Sequence, residues 1–128
     1  MSEVSSLYER FLRTFKKGDL IFEEGGEGDE MFIVHLGRVG IVKSDSEEGQ
    51  SLATLEPGDF FGEMALIDGS PRSASAIAEE DETKLIVLDK PKFTYMVQQV
   101  PDFSLAIMAK LCRQIRETNI QRVRNQDG

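Results

Sequence analysis

Cysteine, histidine and basic charge are all scarce in this 128-residue chain, and each scarcity removes a class of function. Cys112 is the single cysteine, so no internal disulfide can form, a usage that fits a reducing cytoplasm. It also lacks the companions that an iron–sulfur cluster requires. His35 is the single histidine, whereas a barrel metalloenzyme needs a cluster of them. No serine or cysteine nucleophile has a histidine at motif spacing, so the expectation is that the chain is not an enzyme. No apolar run reaches the roughly 18 residues of a membrane helix. Residues Met1 to Ser6 lack the basic and apolar regions of a secretion signal, and a cytoplasmic location is expected. Fifteen basic residues face 23 acidic ones, for a net charge of -8. An acidic surface repels a phosphate backbone, which argues against a direct nucleic-acid partner. Five basic residues do gather late, at Lys110, Arg113, Arg116, Arg122 and Arg124. Their placement suits a helix C-terminus and solvated faces.

The length suits one domain with a single core. Residues 5 to about 13 predict a short amphipathic helix with Leu7, Phe11 and Leu12 on one side, so that residues 1–14 form an N-terminal helical segment. From Phe15 to about residue 90 the pattern changes to short runs of β-branched and aromatic residues, punctuated at Gly25-Gly26, Gly37, Gly40, Gly49 and Pro57-Gly58. Several short strands with frequent turn signals predict an all-β sandwich or jelly-roll barrel. The polar run Ser44 to Gln50 reads as a hairpin tip between a strand at Val39 to Lys43 and one at Ser51 to Leu55. The last strand is expected at Lys84 to Leu88, followed by a helix over Pro91 to Val100. Pro101 breaks that helix, Asp102 can cap the next, and a long helical pattern runs from Phe103 to about Val123, with Asn125 to Gly128 frayed.

Chemistry concentrates between Phe61 and Ala74, where Glu63 and Arg72 stand nine positions apart with a glycine before the acid and a short apolar helical turn between. A buried carboxylate without a partner is costly, so Glu63 calls for a donor, and a sugar hydroxyl is a good one. Arg72 offers a planar fork matched to two phosphate oxygens. Free backbone N–H groups after Gly62 would point at the same phosphate. Together these suit a small, singly charged phosphodiester that also carries a ribose hydroxyl. The plainer alternatives are an acid in the first turn of a helix and an arginine that lies on the surface or pairs with Asp68.

Gly62, Glu63, Ala65, Leu66, Pro71, Arg72 and Ala74 also fall on the pattern Gly-Glu-x-Ala-Leu, spacer, Pro-Arg-x-Ala, which resembles the phosphate-binding cassette of the cyclic nucleotide-binding domain family. The likeness extends to Phe15 to Phe22, Gly25 to Asp29, Phe32 to Val34 and Gly37 to Val39, and covers roughly residues 11 to 124. The resemblance implies a β jelly-roll or double-stranded β-helix barrel followed by a C-terminal helix pair, with flanking helices. It implies that Glu63 takes the ribose 2′-hydroxyl and Arg72 the phosphate, with Phe61, Gly62, Met64, Ala65 and Ala74 completing the cassette. Ser73 occupies a position that helps set base choice, where serine leans towards cyclic AMP over cyclic GMP. Ile41, Ala53 and Leu55 occupy inward strand positions near base and sugar, although apolar residues there also serve simply as core.

Residues 93 to 119 resemble the matching helices of catabolite activator-like members, including the Pro101-Asp102 break. On that register Thr118 and Asn119 fall where such members carry a threonine and a serine against the adenine, the latter from the dimer partner. Asparagine here replaces that serine, and both residues could equally be polar positions on an exposed helix. Leu105, Met108, Cys112, Ile115, Asn119 and Arg122 follow alternating three-and-four spacing, widened by Leu111 and Thr118. That seam predicts a parallel homodimer through the C-terminal helix, unless the stripe packs on the chain's own barrel.

The resemblance thus implies a regulatory sensor that binds a cyclic nucleotide as ligand, needs no cofactor or metal, and passes occupancy to a downstream protein through its last helix. No DNA-binding helix-turn-helix is expected after residue 128, and the output is expected to lie elsewhere. Two alternatives remain: an interaction or dimerisation module of the same fold that has lost nucleotide binding, and the effector half of a transcription regulator without its DNA-binding half.

Overall fold

In the computed structural model, residues 10–44 and 52–127 are described, with the backbone alone at 118, 119 and 121–127. The chain divides into two compact units, residues 1–90 and 91–128. The first contains eight strands, β1 (Leu12–Phe15), β2 (Leu20–Phe22), β3 (Glu30–Leu36), β4 (Val39–Val42), β5 (Ala53–Leu55), β6 (Phe60–Phe61), β7 (Ser75–Ala78) and β8 (Thr83–Asp89), and one short helix, α1 (Glu63–Asp68). They form two antiparallel four-stranded sheets, ordered β1-β8-β3-β6 and β2-β7-β4-β5. The non-sequential order in both sheets is that of a jelly roll, the mainly-β class expected from the turn spacing.

Alternation along the strands aims one face of each sheet at a shared core. Phe32 stands opposite Val87 and Val34 opposite Leu85, and these four residues join Phe61 from the first sheet and Val39 and Ala76 from the second. Phe15, Ile21, Phe22, Ile41 and Leu55 pack against that cluster. The register shifts between Val34 and Leu36, and exposed His35 sits at the irregularity.

The expected N-terminal helix needs correction at its end. Arg10 and Phe11 are helical, but Leu12 to Phe15 are strand, with Leu12 opposite Ile86 and Phe15 opposite Thr83. Pairing with β8 satisfies backbone groups at the sheet edge, which outweighs a weak helical preference over the last turn. The rest of that segment, residues 5 to 9, lies outside the described residues, as does most of the expected hairpin tip.

The second unit holds α2 (Lys90–Gln99) and α3 (Pro101–Asp127). Asp102 does not cap α3: the helix begins at Pro101, whose missing N–H and fixed φ suit the first helical position, and Asp102 lies within the first turn. The backbone stays helical through Asp127, past the point where fraying was expected. The break is fastened locally: the Ser104 hydroxyl donates to the Val97 carbonyl at 3.0 Å, and the Phe93 and Phe103 rings meet edge-on at 5.8 Å.

Candidate functional site

Strand register brings the ends of the candidate segment together. In β6, Phe61 pairs with Phe32 and Phe60 with Ile33, so the chain leaves β6 alongside the start of β3. In β7, Ala76 pairs with Phe22, and the ladder carries on past the strand ends. There the Gly25 amide donates to the Arg72 carbonyl at 2.7 Å, and the Arg72 amide donates to the Gly26 carbonyl at 2.9 Å. The Glu24 amide adds a bond to the Ser75 hydroxyl at 2.9 Å. Arg72 is thereby held by its backbone against the β2–β3 turn.

Its side chain is held as firmly. Arg72 is only 6 % exposed. Nη1 donates to the Gly62 carbonyl at 2.9 Å and Nη2 to the Glu30 carbonyl at 2.7 Å. Nε is the one buried side-chain nitrogen or oxygen among the described residues without a hydrogen-bond partner. Leaving such a donor unsatisfied costs about 1–3 kcal/mol, and more when it is charged. Burial pushes the guanidinium below its ordinary pKa, while Glu30, Asp29 and Glu63 pull it back up. It remains a cation, since arginine does not deprotonate in proteins.

Two glycines make room for it. At Gly28 an added Cβ would overlap the guanidinium itself. At Gly62, where φ is +80, a Cβ would come within 2.8 Å of Nη1. Gly62 is also the residue before α1, and its left-handed backbone turns the chain from β6 into the helix.

Glu63 opens α1 as the acid of its first turn and is 2 % exposed. It stands in the first helical turn, as the plainer alternative expected, but is buried there. Arg72 does not pair with Asp68, which instead accepts bonds from the Ser70 amide and hydroxyl. These bonds hold the Asp68 carboxyl below the usual carboxylate range.

Phe61, Ala65 and Ala74 are buried beneath the segment, Met64 is 50 % exposed, and Ser73 is exposed. Ile41 stands opposite Ala53, and Leu55 opposite Val39. Ile41 and Leu55 pack on the core, whereas Ala53 on the same strand face as Leu55 is exposed. Thr118 and Asn119 lie on the α3 backbone, but their side chains fall outside the described residues. Reading the sequence missed Gly28, the Glu30 carbonyl and Phe22 as parts of the arginine's cradle. The glycines of the Gly25 to Gly28 turn carried the available signal.

The model of the cyclic nucleotide-binding domain family matches residues 12–100 of this chain. The chain belongs to the cyclic nucleotide-binding domain family. It is 34 % identical over 110 residues to the Cyclic AMP receptor protein of Thermus thermophilus, covering 85 % of this chain and 50 % of that protein. It is 40 % identical over 85 residues to human cGMP-dependent protein kinase 2, covering 65 % of this chain and 11 % of the kinase. The crystal structure of Thermus thermophilus Catabolite Activator Protein superposes with a TM-score of 0.78 at 34 % identity, over 94 % of this chain and 57 % of that one. This cyclic nucleotide-binding domain thus spans about half the length of its bacterial relative. No helix among its described residues is long and apolar enough to cross a membrane.

Proposed function

We propose that this domain binds cyclic AMP in preference to cyclic GMP and acts as a cytoplasmic sensor whose occupancy is passed on through α3. The observation that carries the reading is the buried Arg72 cation with its Nε–H unsatisfied, next to a buried Glu63. Nε and its neighbouring Nη edge can take two oxygens of a singly charged phosphodiester. Glu63 then accepts from the ribose 2′-hydroxyl, and the backbone from Gly62 to Ala65 lines the phosphate. Acids around Arg72 disfavour a second negative charge on the ligand. Exposed Ser73 leans the base choice towards adenine, and Ile41, Ala53 and Leu55 supply the small apolar contacts a pocket needs. A relative named for cyclic AMP and one named for cGMP both match this chain, so titration with both nucleotides decides the preference.

We further propose a homodimer through α3. Leu105 and Ile115 are 61 % exposed and Met108 53 %, and exposed Cys112 continues the same stripe. The net charge of -8 fits a module that does not itself grip nucleic acid, so its output goes through a protein partner or an attached domain. The test is calorimetric titration with cyclic AMP and cyclic GMP beside an Arg72→Ala control. Tighter cyclic AMP binding, abolished in the control, is expected. Tighter cyclic GMP binding would overturn the base assignment, and no heat with either would favour an interaction module without a nucleotide.

A further inference from the structure

Arg72 lies on an aromatic floor whose nearest member reads in the sequence only as a strand residue. Its Cζ stands 4.2 Å from the centroid of the Phe22 ring and 5.8 Å from that of Phe32. Phe22 leans on Phe32 at 5.7 Å and on Phe61 at 5.8 Å, and those two rings stack on each other at 5.2 Å. Phe22 comes from one sheet while Phe32 and Phe61 come from the other, so the trio ties both sheets together beneath the cation. A guanidinium only 6 % exposed has given up most of its hydration. The negative face of an aromatic ring replaces part of that loss without using any N–H. Each Nη has one N–H tied to a carbonyl at the rim, and Nε is the nitrogen left without a partner.

We propose that Phe22 is a positioning residue for anion binding: its ring face, beyond its apolar volume, fixes the Arg72 guanidinium so that the Nε edge is presented to the phosphate. The proposal rests on the cyclic-nucleotide reading above. An aliphatic residue at position 22 fills similar space but offers no such face, so the guanidinium gains freedom that the ligand must then remove.

The experiment compares Phe22→Leu with Phe22→Tyr, both checked for folding by thermal unfolding. Cyclic AMP affinity is measured by calorimetry, and the Arg72 Nε–H resonance is followed in arginine-labelled protein, assigned by its loss in Arg72→Lys. In Phe22→Leu, affinity is expected to fall about 10- to 30-fold, the size of a desolvated cation–aromatic contact. Phe22→Tyr should stay within about threefold of the parent. The resonance should carry a ring-current shift in the parent and in Phe22→Tyr that is lost in Phe22→Leu. Equal losses of affinity in both variants, or an unchanged affinity in Phe22→Leu, would overturn the proposal. If the parent binds neither cyclic AMP nor cyclic GMP, the nucleotide reading fails and the resonance decides alone. A shift kept in Phe22→Leu overturns the Phe22 contact, and one lost there but kept in Phe22→Tyr upholds it.

Discussion

Gly28→Ala is the smallest change that should disable the site while leaving its charges in place. Gly28 is not in the left-handed region, so alanine fits its backbone, and the effect comes from the new methyl group alone. That methyl would occupy the space of the Arg72 guanidinium. The arginine cannot shift as a whole, because its backbone is bonded to Gly25 and Gly26. Its guanidinium must instead release the Glu30 carbonyl, the Gly62 carbonyl or both. Bonds from charged donors are worth about 1.5–3 kcal/mol each, so unfolding free energy should fall by about that much. The same displacement moves Nε off its line to the phosphate. A comparable loss in binding corresponds to about 10- to 150-fold weaker affinity for cyclic nucleotide. The assay is calorimetric titration with denaturant unfolding in parallel. Gly58→Ala serves as the control: with φ at +97 and open space around it, it should cost stability through backbone strain but leave affinity alone. Gly28→Ala binding within about threefold of the parent would refute the cradle geometry.

Three other outcomes are expected. Glu63→Ala should weaken cyclic AMP about 10- to 100-fold, the worth of a charged hydrogen bond, and should abolish discrimination against 2′-deoxy cyclic AMP; persistent discrimination would reassign the 2′-hydroxyl contact. For Asp68, the folded pKa lies below the unfolded one because Ser70 donates to the carboxylate. Its contribution is therefore present above the unfolded pKa of about 3.9 and lost as pH falls through the lower folded value. Carboxyl NMR should show the midpoint move back up in Ser70→Ala, and an unmoved midpoint would deny the bond. Leu105→Lys with Ile115→Lys should turn a dimer into a 14.4 kDa monomer by sedimentation, and a parent already monomeric at micromolar concentration would remove the homodimer.

The sheets and the cassette were legible because each rests on local pattern. Alternating apolar residues mark β3 and β8, glycines mark the turns, and one contiguous segment carries both Glu63 and Arg72. The cradle around that arginine was not legible for the opposite reason. Its parts, Phe22, Gly28 and the Glu30 carbonyl, lie more than 40 residues upstream and reach it only through strand register. A carbonyl has no side-chain signature at all. The strand at Leu12 and the start of α3 at Pro101 were misplaced where a tertiary pairing and a favourable proline position each outweighed a local breaker or propensity signal.

The central claim is that a buried, forked cation at position 72 captures a cyclic phosphodiester through its Nε edge. Replacing it with lysine keeps the charge and removes the fork. Calorimetric titration of Arg72→Lys with cyclic AMP should show affinity reduced by at least about 100-fold, more than a preserved point charge would allow. An affinity equal to that of the parent protein would contradict the claim.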